Sequence, residues 1–338
     1  MSKNSKIWVT VLLVGMLISL LALGSVSAQT NGSLRFYGNG SGDIDRVKIS
    51  IDNPAKAADI GGNFTIEFFM RAVSGENGSG SCTTGDAGWT NGNIIIDRDI
   101  FGPGDNGDFG ISVFGGGGVI AFGVSRGNSG ATVCGTTNVI DGNWHHIAAT
   151  RNQSNGSLSL YVDGGLNGTV TGPTGDVSYR DGRSTSWPND PFIVFGAEKH
   201  DFAPQYPSYS GWLDEVRIST NIRYTSTFSV PTTAFTTDAN TVGLYHFDEG
   251  TGDTINDSSG TGSHGVRRYG GNPAGPVWST DTPLTGGGPV NTPTFTPTFT
   301  PTPGPLCIEN NVNTLYMFPQ ELLSPLLTQG VCNAQEAA

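Results

Sequence analysis

Short apolar runs with a period of two residues dominate this sequence and restrict its fold more than any other feature. In the FTIEFFM sequence at 64–70, alternation places Phe64, Ile66, Phe68 and Met70 on one face of a strand. Turn residues separate the runs, as at 155–156, where Asn-Gly is a strong hairpin signal. The same pattern predicts strands at 93–97, 109–114, 119–124, 144–151, 157–162, 192–195, 211–218 and 242–247. Because no βαβ unit or propeller repeat is present, the sequence predicts an all-β, antiparallel sandwich or barrel.

The first 28 residues have the pattern of a signal peptide. Lys3 and Lys6 precede an apolar run at 7–24, and Val-Ser-Ala at 26–28 fits a small-residue cleavage site. A membrane anchor is the alternative, because the run approaches the length that spans a bilayer. The position of the run and the small residues that follow it favour cleavage. The mature protein is therefore expected to be secreted or displayed at the cell surface, with no membrane insertion after cleavage.

The remaining chain divides into three parts by composition. Residues 29–285 form the predicted sandwich domain. Residues 286–305 contain a Thr/Pro repeat that cannot supply a regular ladder of amide donors, which predicts a disordered, extended linker. Residues 306–338 form a short cysteine-containing tail that is too small for an ordinary core of its own.

Four cysteines in an exported chain indicate disulfide bonds. Three pairings exist on paper. Cys82 and Cys134 lie in the sandwich region, and Cys307 and Cys332 lie in the tail, so pairing within each region is the simplest arrangement. A structural zinc site is not expected, because the sequence has no CxxC motif or Cys/His cluster.

The charge balance excludes some partners. Without the two lysines of the signal peptide, the chain has 15 basic and 29 acidic residues. A surface this acidic is unsuited to nucleic acid or to anionic membranes. The excess of Asp fits turn chemistry, and it also fits hard oxygen ligands for a cation such as calcium.

Five segments resemble the motifs of laminin G-like jelly rolls in the concanavalin A-like lectin/glucanase superfamily. They are FTIEFF at 64–69, NWHHIAAT at 143–150, LYVDG at 160–164, GWLDEVRI at 211–218, and LYHFDEG at 244–250 with DSSG at 257–260. The resemblance covers about 32–270 and implies a jelly-roll β-sandwich. The resemblance is weak evidence for a particular function, because lectins, adhesion modules, enzymes and spacers all share this fold.

The resemblance also implies a calcium site, because many laminin G-like domains hold calcium through carboxylates and backbone carbonyls. The candidate ligands are Asp214 and Asp257, which occupy motif positions, and then Asp43 and Asp45, which lie two residues apart. The alternative is that these carboxylates cap turns. Strand alternation predicts that Asp214 and Glu215 point to opposite faces, with one of them fixing a loop or ion and the other solvated.

The two adjacent histidines are expected to act separately. Alternation places His145 and His146 on opposite faces of their strand, so they cannot easily share one metal ion. A packing or hydrogen-bonding role is the expectation for both.

Aromatic residues in the loops are the candidate ligand contacts. Aromatic rings stack on sugars, and polar side chains bond to their hydroxyl groups. The predicted ligand-binding residues are Trp89, Trp187, Asp201, Tyr206 and Tyr209. The alternative is that these aromatics cover the edge of the sandwich.

A glycosidase needs two facing carboxylates, which laminarinase-like relatives carry in an E-x-D-x-E strand. No such segment occurs here. The sequence therefore predicts a binding module without catalytic residues, whose partner is an extracellular glycan or surface protein. Carbohydrate or glycoconjugate is the expected ligand and calcium the candidate cofactor. The alternatives are protein–protein adhesion or a structural surface role and, behind these, glycoside hydrolysis.

Overall fold

The structure is a computed structural model of the 338-residue chain. It describes residues 31–52, 54–100, 106–179, 191–200 and 205–284, and three short strands between 306 and 335. The chain divides into two compact units, Met1–Asn291 and Thr292–Ala338. The predicted signal peptide and Thr/Pro linker lie outside the described residues. No helix in the described part of the chain is long and apolar enough to cross a membrane.

The first unit contains eighteen strands and one 3-10 turn, Gly88–Asn91, among its described residues. The strands are β1 (Ser33–Tyr37), β2 (Arg46–Ser50), β3 (Phe64–Val73), β4 (Asn93–Arg98), β5 (Asn106–Phe114), β6 (Val119–Arg126), β7 (Ser129–Cys134), β8 (Asp141–Arg151), β9 (Ser157–Val162), β10 (Gly165–Thr171), β11 (Phe192–Phe195), β12 (Ser210–Ser219), β13 (Thr241–Tyr245), β14 (Thr254–Ile255), β15 (Gly265–Arg268), β16 (Gly270–Gly271), β17 (Ala274–Gly275) and β18 (Val277–Ser279).

Two antiparallel sheets of eight strands form the sandwich. Sheet A has the order β10-β9-β8-β3-β12-β1-β18, and β13 also pairs with β12. Sheet B has the order β14-β15-β2-β11-β4-β5-β6-β7. Strands β16 and β17 form a small ribbon of their own. The prediction of an all-β, antiparallel jelly-roll sandwich is confirmed.

The core lies between the two sheets, and the alternation of β3 explains how it forms. Phe64, Ile66, Phe68 and Met70 are all fully buried. The ring of Phe64 lies 5.2 Å from Phe109 of sheet B, centroid to centroid. Burying each such side chain contributes about 1.5–3 kcal/mol, so this period-two pattern drives the pairing of the sheets.

The predicted strands are present with small changes at their ends. The hairpin around residues 115–118 joins β5 to β6, and the Asn-Gly turn at 155–156 joins β8 to β9. Sequence alternation did not reveal β1, β2, β7, β10 or the short strands β14–β18. The strands from β14 to β18 have two to four residues each, which is too few to show a period.

A disulfide bond joins Cys82 to Cys134, as predicted, and closes a 52-residue separation. It ties the loop before β4 to the edge strand β7. Trp89 in this loop is fully buried. A Cβ on Gly110 or Gly123 would lie about 2 Å from its ring, so these two glycines make room for the indole against sheet B.

The second unit contains three described strands, β19 (Leu306–Glu309), β20 (Leu315–Met317) and β21 (Cys332–Gln335). They form an antiparallel sheet in the order β20-β19-β21. The side chains of Cys307 and Cys332 lie outside what the structure describes, so their pairing stays a prediction.

Candidate functional site

The segment between β11 and β12 leaves sheet B and returns beside β4. Its ends are close, since the Tyr209 amide donates to the Gly196 carbonyl at 2.9 Å. The Ile94 amide donates to the Pro207 carbonyl at 2.8 Å, which attaches the returning half to β4. Gly196 has φ +91°, a conformation that favours glycine, and lies directly against Phe36. This backbone brings the residues after β11 next to the end of β4.

Three side chains meet there in a group that we call the acid–histidine cluster: Asp99, Glu198 and His200. Their ligand atoms all lie within 4.8 Å of one another, close enough to hold one metal ion. His200 Nδ1 lies 3.0 Å from Glu198 Oε1 and 3.4 Å from Asp99 Oδ2. Glu198 and His200 are buried, and Asp99 is half-buried. Among the described residues, no other set of His, Cys, Asp or Glu forms such a group.

Asp97 lies beneath the cluster and fixes its backbone. Its carboxylate accepts hydrogen bonds from the amides of Asp99 at 3.0 Å and Lys199 at 2.8 Å. Burial, and then the charges of Asp99 and Glu198, raise the pKa of Asp97 to about 7 against the opposing effects of Lys199 and His200. Two further carboxylates thus act on Asp97 in a buried position.

Tyr206 is the predicted ligand-binding residue that lies beside the cluster. It is half-buried, and its hydroxyl accepts a hydrogen bond from Gln205 Nε2 at 3.3 Å. Burial raises the pKa of Tyr206, and the charges of Asp99 and Glu198 add to the effect. The phenol is thus within electrostatic reach of both carboxylates.

The two carboxylates and the imidazole of the acid–histidine cluster could together bind a divalent cation, and only the carboxylates are ligands of the kind that calcium prefers. Calcium takes oxygen ligands, and two carboxylates supply them. The imidazole of His200 suits manganese or zinc better. A cation at this position would also offset the charges of Asp99 and Glu198 that act on Asp97.

The four carboxylates predicted to bind metal are not brought together. Asp257 is fully occupied: its oxygens accept hydrogen bonds from the Leu244, Ser259 and Ser263 amides and from the Thr261 hydroxyl. Four donors leave no free lone pair for an ion. The alternative interpretation, a turn cap, therefore describes Asp257, and its assignment as a metal ligand is wrong.

Asp43 and Asp45 have separate partners as well. Asp45 is buried and accepts from the amides of Tyr37 and Asn39, both at 2.9 Å, which closes the loop before β2. Asp43 forms ion pairs with Lys48 at 3.2 Å and Arg268 at 2.7 Å. The two carboxylates thus do not converge on one ligand.

Asp214 and Glu215 depart from the expected alternation. A β-bulge interrupts the pairing of β12 with β3 here, and Glu215 has φ +53°. Both side chains are buried, so the prediction that one is solvated is wrong. Glu215 accepts from the Phe235 amide at 2.7 Å and contacts His246 Nδ1 at 2.6 Å.

Asp214 lies beside other carboxylates. It accepts a hydrogen bond from the Thr282 hydroxyl at 2.8 Å. Burial raises the pKa of Asp214 well above its usual value, and the charges of Glu215 and Asp248 add to this. Burial likewise raises the pKa of Asp248 to about 6. Its role as a metal ligand stays a prediction.

Two of the predicted ligand-binding aromatics lie in the interior. Trp89 and Tyr209 are fully buried, and the Tyr209 hydroxyl donates to the Arg71 carbonyl at 2.9 Å. A ring inside the protein cannot stack on a sugar, so their assignment as loop contacts is wrong. Trp187 and Asp201 lie outside the described residues.

Sequence reasoning missed Asp97, Asp99 and Glu198, and it did not name His200 as a metal ligand. A signal was present, because Asp-Arg-Asp at 97–99 and Glu-Lys-His at 198–200 each place two possible ligands two residues apart, at or just after the end of a strand. Each pair alone is common in turns. Only the pairing of β4 with β11 brings them together.

The fold and the two-sheet topology define an antiparallel sandwich of the lectin-like class. A family model described as the concanavalin A-like lectin/glucanases superfamily, of laminin G type, matches residues 45–227, more than half of the chain. The chain belongs to this family, as its motifs suggested. No protein of curated function matches the sequence.

Solved structures with a similar fold are distant. A Bacteroides ovatus protein, described as a candidate carbohydrate-binding protein, has 16% identity and a TM-score of 0.43, over 70% of this chain and 58% of that one. Mouse laminin α1 domains LG4-5 have 14% identity and a TM-score of 0.36, over 60% and 45%. The Ruminococcus gnavus sialidase CBM40 bound to α2,3-sialyllactose has 10% identity and a TM-score of 0.37, over 57% and 91%. The similarities are too low to assign an activity.

Proposed function

We propose that this protein is a secreted or cell-surface binding module that recognises carbohydrate or glycoconjugate with the help of a divalent cation. The observation that carries the proposal is the acid–histidine cluster, in which three ligand side chains lie within 4.8 Å of one another. Tyr206 beside it offers a half-buried aromatic ring to a ligand. An ion held there could bond directly to sugar hydroxyl groups while the ring packs against the sugar.

Membership of a lectin/glucanase superfamily supports a binding role for the sandwich. The chain also lacks the E-x-D-x-E strand of the laminarinase-like enzymes. We therefore propose binding without catalysis. Export through the 28-residue signal peptide, which lies outside the described residues, is part of the same proposal.

The family resemblance implies calcium, and His200 makes the choice of ion testable. If oxygen ligands dominate, calcium should bind in preference to manganese. If the imidazole is a ligand, manganese or zinc should bind at least as tightly as calcium. The proposed function needs one of these ions to bind and to strengthen glycan binding.

The test combines calorimetry with a glycan array on the mature protein. Calcium, manganese and zinc are titrated into wild type, Asp99→Asn and His200→Gln. The array is then run with the preferred ion and with a chelator. His264→Gln is the matched control, because this exposed histidine lies outside the cluster. We expect at least a tenfold loss of ion affinity in the two cluster variants and none in the control.

Glycan binding that is equal with the ion and with the chelator would remove the cation from the proposal. No binding to any glycan would overturn carbohydrate recognition and would favour protein adhesion or a structural surface role. Hydrolysis of any polysaccharide in a substrate panel would instead show that the protein is a glycosidase.

A further inference from the structure

A small pocket lies at the rim of the sandwich, beside the edge strand β18 of sheet A. Its volume is about 260 Å³. Its walls come from the residues before β1, the residues after β13 and strand β18, and include Asn31, Gly32, Asp248, Trp278 and Ser279. Pockets for drug-sized ligands begin at about 300 Å³, so this one suits a ligand the size of a single sugar ring.

The Trp278 ring is held in place before any ligand arrives. The indole Nε1 donates to the Gly252 carbonyl at 3.2 Å, which links β18 to the loop before β14. The Arg267 guanidinium lies 5.6 Å from the ring centre. Part of the ring packs on the core, and part remains exposed. A positioned, half-exposed indole is a suitable stacking surface for a sugar, because little conformational entropy is lost on binding.

Asp248 supplies the polar side of the pocket. It is half-buried and accepts one hydrogen bond, from the Gly32 amide at 2.7 Å. Among the described residues, Gly32 is its only hydrogen-bond donor. The carboxylate therefore retains acceptor capacity for a hydroxyl group, and the hydroxyls of Ser279 and Thr280 line the same pocket.

The local charge decides which sugars can enter. Asp248 lines the pocket itself, and Asp214 and Glu215 are near enough to interact with it electrostatically. Of the nearby cations, His246 acts against this negative charge, and the Arg267 guanidinium beside Trp278 is already paired with Asp253 at 2.8 Å. An anionic sugar would meet like charges in a partly desolvated site, which costs free energy. A neutral sugar gains both the stacking and the hydrogen bonds without this repulsion.

We infer that this rim pocket binds one ring of a neutral glycan, stacked on Trp278 and hydrogen-bonded to Asp248. The inference rests on the proposed carbohydrate-binding function and assigns a second contact site to it. It does not require the acid–histidine cluster, because none of the cluster residues lines the pocket.

The experiment measures binding of the mature protein to an array of neutral glycans and their sialylated counterparts, with titration of the best binder. Trp278→Ala and Asp248→Asn are compared with Tyr269→Ala. Tyr269 is an exposed aromatic outside the pocket and controls for unspecific stacking. We expect wild type to favour neutral glycans, and each pocket variant to lose about tenfold in affinity, equivalent to about 1.4 kcal/mol. Tyr269→Ala should bind as wild type does.

Asp248→Asn preserves side-chain shape, so it tests the pocket even if Trp278→Ala fails to fold, and thermal melting checks both variants. If both folded variants still bind glycan as wild type does, the inference that this pocket binds a sugar would be wrong, and the proposed function would still stand. A preference for sialylated glycans that these variants lose would overturn the predicted neutral specificity. Wild type that binds no glycan would overturn both proposals.

Discussion

Each sheet of the sandwich has a group of buried carboxylate and histidine side chains in or just beyond its strands, and the two groups differ in the charged residues around them. On sheet A, Glu67 accepts from Arg217 Nε at 2.9 Å and from the Tyr224 hydroxyl at 2.7 Å, and it contacts His146 Nε2 at 3.2 Å. Burial opposes its ionisation, yet His146 and Arg217 hold the pKa of Glu67 below its usual value. On sheet B, burial dominates, and the pKa of Asp97 rises to about 7.

The difference shows why residue type alone does not identify a site. Glu67 is surrounded by donors from three other segments of the chain, so its charge is stabilised within the fold. Asp97 lies with Asp99, Glu198, Lys199 and His200, and its pKa is raised by burial and by the charges of Asp99 and Glu198. In the first group, the Arg217 guanidinium compensates the buried Glu67 carboxylate directly. The second contains the three residues that we propose as a cation site.

The largest expected effect comes from breaking the network on sheet A. Glu67→Gln removes the charge that Arg217 and His146 face in a buried position. Leaving a buried charge without its partner costs about 3–5 kcal/mol. Urea denaturation should show this loss. Glu76→Gln, which removes the partner of Arg35 in a more exposed ion pair, should cost about 1 kcal/mol or less. Equal losses in the two variants would contradict the distinction.

Asp97, beneath the acid–histidine cluster, should make the stability of the protein depend on pH, and its pKa shift is opposite in sign to that of Glu67. Folding raises the pKa of Asp97 from 3.8 to about 7, so the folded state keeps a proton that the unfolded chain has lost. The free energy of unfolding should therefore fall as pH rises from 4 to 7, by at most about 1.4 kcal/mol per pH unit. Measurements in chelator should show this slope, and Asp97→Asn should reduce it. Adding the preferred divalent cation at pH 7 should restore stability in wild type. A slope that Asp97→Asn does not change would contradict the assignment.

Asp257 and Asp214 extend the comparison to single carboxylates. Four donors bond to the Asp257 carboxylate. In Asp257→Asn, the amide NH2 group would replace one of the two acceptor oxygens and would face donors, so the free energy of unfolding should fall by about 1–3 kcal/mol. Asp214→Asn removes a charge that Glu215 and Asp248 repel, so it should leave stability within about 0.5 kcal/mol of wild type or raise it. Chemical denaturation in chelator at pH 7 distinguishes these outcomes, and the reverse order would contradict both assignments.

The smallest expected effect concerns His145, which lies between two carboxylates. Hydrogen bonds that His145 donates to the carboxylates of Asp163 and then Asp141 raise the pKa of His145 despite its burial. The stabilising pairs are therefore fully present below pH 6.5, the unfolded value, and are lost as pH rises through the folded pKa. We expect a loss of about 0.2–1 kcal/mol. Thermal melts of wild type and His145→Gln should converge at high pH, and parallel curves would contradict the prediction.

Much of the fold was predictable because the periodicity of a strand is local. The burial of Phe64, Ile66, Phe68 and Met70 follows from their alternation. Alternation failed at Asp214 and Glu215, where a bulge adds a residue to β12. It could not show that Trp89 and Tyr209 are interior, because the glycines and carbonyls that accommodate them lie in distant strands.

The sequence by itself determined the all-β class, the positions of the main strands, the family, and the pairing of Cys82 with Cys134 as the simplest arrangement. Those features depend on residue spacing and composition. The tertiary structure decided which polar residues meet, since Asp99 and Glu198 are far apart in sequence and become neighbours only when β11 lies beside β4. It also decided which carboxyl groups have a raised or a lowered pKa. Burial and the distance to a compensating cation set the pKa, and both arise only when separate segments of the chain pack together.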